Sequence, residues 1–82
     1  MRSIEWTETA LGELAGLDQV IARRVKQAVE RFAETSIGNI KRLQNVDPPE
    51  YRLRVGDWRI RFHQDAETIR ILRVLHRKEA YR

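Results

Sequence analysis

Two stretches of this chain of 82 residues carry side chains spaced for chemistry. Between Tyr51 and Phe62 apolar and cationic residues alternate: Tyr51, Leu53 and Val55 interleave with Arg52 and Arg54, and Trp58, Ile60 and Phe62 interleave with Arg59 and Arg61. Successive side chains of a strand point to opposite faces. The apolar set can therefore be buried on one side while the guanidinium groups project together from the other. The second stretch is His76, Arg77, Lys78, Glu79, Ala80 and Tyr81. A face built almost entirely from guanidinium groups repels itself when bare and is stabilised when a polyanion covers it.

The charge distribution points the same way. Residues 1–50 hold seven Lys or Arg against eight Asp or Glu, whereas residues 51–82 hold nine against four. The net charge of +4 thus arises in the second part. A lopsided basic field attracts phosphate backbones; an ordinary solvated sheet face is the alternative.

Composition narrows the remaining classes. With no cysteine, disulfides, thiolate metal sites and a cysteine nucleophile are all excluded, which suits a reducing cytoplasm. No apolar run approaches the ~20 residues that span a bilayer, and the start from Met1 to Trp6 does not read as a signal peptide. A cytoplasmic, single-domain protein over residues 1–82 is expected, with no membrane partner, no metal, no cofactor and no small-molecule ligand. At this size roughly 60–65% of the unfolded surface can be buried, enough for one modest core.

The elements that must position the arginines follow from periodicity. Ser3, Ile4, Glu5 and Trp6 alternate as a strand; Thr7 or Thr9 can then cap a helix with apolar positions Ala10, Leu11, Leu14 and Leu17, ended by Gly16. Asp18 caps a second helix, in which Ile21, Val25, Ala28, Val29 and Phe32 recur at helical spacing and Thr35 to Gly38 form the stop. Lys41 and Arg42 fall in a connecting segment, and Pro48 and Pro49 mark the entry to the first strand of a three-stranded meander. Gly56 and Asp57 turn it into the second strand, and Asp65 to Glu67 into the third, Thr68 to Leu75. The expected architecture is α+β: two N-terminal helices on one face of a small, mainly antiparallel four-stranded sheet, with the arginines on the open face. The third meander strand is apolar in both registers and is expected to be central. If Arg77 shares the open face, strict alternation places Arg73, Leu75 and Ile71 there as well, with Leu72 and Val74 in the core.

The order of these elements, the run from Tyr51 to Ile60 and the ending from His76 to Tyr81 resemble the RelE/ParE superfamily of toxins from prokaryotic toxin–antitoxin pairs. The resemblance covers nearly the whole chain. It implies one of two activities. RelE-like members cleave messenger RNA in the ribosomal decoding site without a metal, using basic residues of the sheet face and a tyrosine near the end. ParE-like members share the fold and poison DNA gyrase without nuclease activity. Carried over by position, the RelE pattern assigns catalytic roles to Arg52, Arg54, Arg59, Arg77 and Tyr81, and leaves Arg61, Arg73, His76, Lys78, Lys41 and Arg42 as candidate RNA contacts. The departure lies at Arg52 and Arg54, where RelE itself has lysines. Arginine stays protonated, so neither position accepts a proton readily, although each can grip phosphate in a bidentate way.

The chemistry asked of such a site is definite. Attack of a 2′-hydroxyl on the adjacent phosphorus needs a base, cations for the charge growing on the phosphoryl oxygens, and an acid for the leaving 5′-oxygen. Arg59 and Arg77 would neutralise the oxyanions. Arg52 and Arg54 would hold the backbone in line and favour the phenolate of a nearby tyrosine. Tyr81 is the base candidate, and His76 or a cation-bound water the acid, although alternation puts His76 opposite Arg77. Plain structural readings stand beside these: a terminal tyrosine that packs or frays, a surface or capping His76, a structural or solvated His63, core tryptophans at Trp6 and Trp58, and turn chemistry at Asp57. The implied partners are a cognate antitoxin, the ribosome and mRNA, with operator DNA reached only through the antitoxin complex. Ile37 and Ile40 are candidate docking positions for the antitoxin. An inactive member that only binds its antitoxin is the third reading.

Overall fold

The computed structural model describes residues 1–80. Its elements run β1 (Ser3–Trp6), α1 (Glu8–Ala15), α2 (Gln19–Thr35), β2 (Asn39–Arg42), β3 (Tyr51–Val55), β4 (Trp58–Gln64) and β5 (Thr68–His76). The strands form one five-stranded sheet in the order β1-β5-β4-β3-β2. β1 runs parallel to β5, and the other neighbours are antiparallel.

Local chemistry sets the helix boundaries. Thr7 caps α1 by accepting from the Ala10 N–H at 3.1 Å, and its hydroxyl donates to the Leu72 carbonyl at 3.2 Å, which fastens the helix start to β5. Asp18 caps α2 through the Val20 N–H at 2.9 Å. α2 ends at Ser36, in the left-handed region at φ 60°. Gly56 takes φ +59° in the turn between β3 and β4, a conformation side chains with a Cβ rarely adopt.

Both helices cover one face. Ala10 and Leu14 of α1 and Val25, Val29, Phe32 and Ala33 of α2 form a single core with Leu53, Ile60, Phe62, Ile69, Ile71 and Val74. Phe62 is the hub, with its ring 5.6 Å from Tyr51 in a stacked arrangement and 5.4 Å from Phe32 in a tilted one.

The α+β expectation holds, with two corrections. Residues 39–42, expected to be only a connection, are the edge strand β2, paired with β3 from Asn39–Arg54 to Arg42–Tyr51. An edge strand with Ile40 as its one apolar residue has no alternation to read. The second correction concerns phase in β5. Arg61 pairs with Arg73 while Phe62 pairs with Ile71, so Leu72 is an extra residue opposite that step. This bulge lets the strand cross its own alternation. Arg73 and Leu75 lie on the arginine face as expected, but Ile71 is in the core and Leu72 is not among its buried members. β5 is interior, as expected, yet Arg70 and Arg73 remain exposed on its open side.

Candidate nucleic-acid interface

Strand register sorts the cations into rows, because paired residues of neighbouring strands project from the same face. One row crosses four strands: Lys41, Arg52, Arg61 and Arg73. The next contains Asn39, Arg54, Arg59 and Leu75. Beside the first row, on its other side, lie His63 on β4, Arg70 on β5 and Glu5 on β1. Arg52, Arg59 and Arg61 meet in a cleft of about 310 Å³, whose remaining walls are Leu43, Gln44 and Val46 from the β2–β3 loop and Ala80 beyond β5.

Arg59 is the most constrained of these cations. Only 7% of it is exposed. Its Nη1 donates to the carbonyls of Gly56 at 2.8 Å and Trp58 at 3.1 Å, while its Nε is buried with no partner among the described residues. Carbonyl oxygens fix its direction without cancelling its charge, and a buried donor left unmatched suits an incoming acceptor. Arg52 is half-buried in the same cleft, and Arg54, beside Arg59, is exposed.

Carboxylates hold three of the other cations, two from outside the meander and one from its β3–β4 turn. Arg61 donates through Nε to Glu50, whose second oxygen lies 3.9 Å from His63 Nε2. Arg73 forms a forked bridge to Glu13 of α1, at 3.0 Å from Nη2 and 3.1 Å from Nε. Glu13 also accepts the Val74 N–H at 3.0 Å, on the side of β5 where α1 has followed β1. The Glu13 carboxylate raises the Arg73 pKa above its usual value. Arg77 donates its N–H to the Asp57 carbonyl at 2.7 Å, and its Nε lies 3.8 Å from the Asp57 carboxylate.

The sequence-derived candidates therefore separate. Arg52, Arg59 and Arg61 converge, with Arg54 adjoining. Arg77 is exposed at the β3–β4 turn and does not line the cleft. Tyr81 lies outside the described residues; Ala80, which precedes it in sequence, lines the cleft. Lys41 is on the arginine face of the edge strand, whereas Arg42 pairs with the core-facing Tyr51 and so projects from the helix side. His76 packs edge-on against Trp58, 5.3 Å between ring centroids, on the helix side, and its Nδ1 accepts from the Lys78 N–H at 3.3 Å. Lys78 is exposed in the turn after β5. Glu50 and Glu13 are the groups that sequence reasoning misses. Glu50 has a readable signal, since it shares the alternation phase of Arg52; Glu13 acts on a residue 60 positions away and leaves no local signal.

Among the described residues no cluster of three or more His, Asp or Glu side chains could hold a metal ion, and no helix is long and apolar enough to cross a membrane. Residues 4–81 match the family described as the ParE toxin of the type II toxin–antitoxin system, parDE. The chain belongs to this family. The toxin is also similar to solved structures: RelE in the RelB–RelE antitoxin–toxin complex from Methanococcus jannaschii, at 28% identity and TM-score 0.76, with 94% of each chain covered. The archaeal RelE–RelB complex from Pyrococcus horikoshii matches at 19% identity and TM-score 0.79, covering 96% of the toxin and 98% of that chain. YoeB from Staphylococcus aureus, solved as a dimer, matches at 15% and 0.72, with 88% and 92% covered. The latter two identities establish the fold alone. No curated protein matches the toxin. It is a RelE/ParE-superfamily toxin of a type II toxin–antitoxin system.

Proposed function

We propose that the toxin is a ribosome-dependent, metal-free mRNA endoribonuclease of the RelE kind, active in the cytoplasm and neutralised by a cognate antitoxin. The observation that carries this reading is the cleft in which Arg52, Arg59 and Arg61 converge, with a buried Arg59 Nε waiting for an acceptor. In this reading the scissile phosphate lies on Arg59 and Arg61, Arg52 and Arg54 hold the flanking backbone, and Tyr81, next in sequence to Ala80, takes the 2′-hydroxyl proton. Arg77 joins by leaving Asp57. That pair is exposed on both sides, at 58% and 66%, and such contacts are weak. Lys41, Lys78 and Arg70 extend the cationic surface toward ribosomal RNA.

The antitoxin is proposed from the family and from the complexes in which RelE-like chains were solved with RelB. Ile37, 56% exposed, remains a docking position for it. Operator DNA would be reached through that complex. The nuclease reading is tested with purified toxin, messenger RNA and ribosomes: cleavage should require ribosomes with an occupied decoding site, and intact RNA there overturns it.

A second reading, a ParE-like gyrase poison that binds without cutting, is favoured by the arginines at Arg52 and Arg54, which grip anions but accept no proton. Linear DNA accumulating with gyrase, together with normal translation extracts, would establish it.

A further inference from the structure

We propose that His63 is the proton donor to the leaving 5′-oxygen, with Glu50 as its positioning residue; this rests on the nuclease reading above. Among the described residues His63 is the one imidazole on the arginine face, since His76 pairs with Trp58 and sits on the other. His63 follows Arg61 by two residues on β4, so their Cα atoms are about 6–7 Å apart on the same face. His63 lines the recess that adjoins the cleft, with Glu5, Gln64, Asp65, Thr68 and Arg70, so the assignment requires the phosphate on Arg61 to direct its 5′-oxygen along β4 into hydrogen-bond reach of the imidazole.

Glu50 gives the imidazole its function. The pairing of Tyr51 with Phe62 sets Glu50 opposite His63, and the Leu43 N–H donating to the Glu50 carbonyl at 2.9 Å continues the ladder there. The Glu50 side chain is only 12% exposed, on the face that carries the arginines. A carboxylate withdrawn from water requires compensation. One oxygen has it from Arg61 Nε, and the other faces His63 Nε2 at 3.9 Å. Arg61 itself lines the cleft, so a continuous set of contacts runs from the phosphate site through Arg61 and Glu50 to His63. The other charged groups around His63 are Arg70, its register partner on β5, Asp65 in the following turn, and Glu5 on β1 beyond Arg70. The imidazole is 35% exposed and accessible to substrate.

The step balances without a cofactor. The 2′-oxygen bonds to phosphorus and loses its proton to the base, the bond from phosphorus to the 5′-oxygen breaks, and the His63 imidazolium proton passes to that oxygen. The products are a 2′,3′-cyclic phosphate and a 5′-hydroxyl, and neutral His63 regains its proton from solvent. An imidazole suits this exchange because its ring nitrogens can hold a proton and release it without a change elsewhere in the ring's contacts.

The test is single-turnover cleavage on programmed ribosomes by wild-type toxin, His63→Gln and Glu50→Gln. Two synthetic messengers are used, one ordinary and one with sulfur replacing the bridging 5′-oxygen at the scissile position. A thiolate departs without a proton. His63→Gln should cut the ordinary messenger about 100-fold or more slowly and the sulfur messenger within a few-fold of wild type. Glu50→Gln should show a smaller loss with the same rescue. Equal losses on both messengers, or wild-type cleavage of the ordinary one by His63→Gln, would overturn the assignment. A wild-type toxin that leaves both messengers intact removes the nuclease reading itself, and this assignment with it.

Discussion

On β4, Ile60 and Phe62 are withdrawn from solvent against the helices, while Arg59 and Arg61, each one residue away, stand on the opposite face. The helix face is satisfied by packing, which is non-directional and tolerates any apolar neighbour of the right volume. The arginine face is satisfied one group at a time: Glu50 for Arg61, Glu13 for Arg73, Asp57 for Arg77, and two backbone carbonyls for Arg59. The self-repulsion implied by the sequence is thus partly relieved by carboxylates, one of them, Glu50, on the cleft's own Arg61. Arg59, beside Arg61 in the cleft, is held instead by backbone dipoles that leave its charge intact. One face stores stability, and the other uses its geometry to keep a cation directed at a site.

The largest test of this contrast pairs one substitution from each face. Phe62→Ala removes the ring between Phe32 and Tyr51 and should destabilise the toxin by about 3–5 kcal/mol in chemical denaturation. Arg54→Ala, exposed on the opposite face, should change stability by no more than about 0.5 kcal/mol while weakening binding of single-stranded RNA. If the arginine variant unfolds the toxin, or the phenylalanine variant does not, the faces do not divide the work in this way.

Much of this division is legible in the order of residues alone. Alternation from Tyr51 to Phe62 is a direct record of a half-buried antiparallel pair, and Thr7 and Asp18 announce the helix starts through cap chemistry. What escapes is whatever depends on tertiary geometry. The Leu72 bulge cannot be seen in a run where both registers are apolar, so strict alternation assigns Ile71 and Leu72 to the wrong sides. β2 escapes because an edge strand needs only one apolar anchor, Ile40. In the site, alternation puts Arg52, Arg54, Arg59 and Arg61 on one face, but register pairs Arg59 with Arg54, and its meeting with Arg52 and Arg61 depends on side-chain direction and on the β2–β3 loop. The diversion of Arg73 and Arg77 to Glu13 and Asp57 is no more legible, since side-chain pairing across the fold leaves no local pattern.

A smaller test concerns the bridge that neutralises Arg73 on the open face. Glu13→Ala leaves both the Arg73 guanidinium and the Val74 N–H without their acceptor. An uncompensated donor of this kind costs roughly 1–2 kcal/mol, and the lower end applies because the Arg73 side chain is nearly half exposed, at 46%. Glu13→Gln keeps an oxygen for Val74 and should lose less. The Ala variant should also bind polyanions more tightly, because Arg73 loses its carboxylate partner while it stays in the row of Lys41, Arg52 and Arg61. Loss of stability without any gain in polyanion affinity would mean that Arg73 belongs to the scaffold alone.

The smallest effect lies at the turn that keeps the two faces in register. Asp65 Oδ1 accepts the backbone N–H groups of Glu67 and Thr68, each at 2.8 Å, closing the connection from β4 to β5. These bonds favour the carboxylate and hold its pKa below the ordinary 3.8. A depressed folded-state pKa gives a contribution that is fully present above the unfolded value and is lost as pH falls through the folded one. The contribution should therefore be intact at neutral pH and disappear only on the acid side of 3.8. Asp65→Asn retains an acceptor oxygen but no charge, so its thermal midpoint should lie slightly below wild type at pH 7 and converge on it in strong acid. Curves that stay parallel over that range would show that the turn is held by its backbone alone, and that the carboxylate plays no part in fixing which side chains of β5 meet the helices and which meet the cleft.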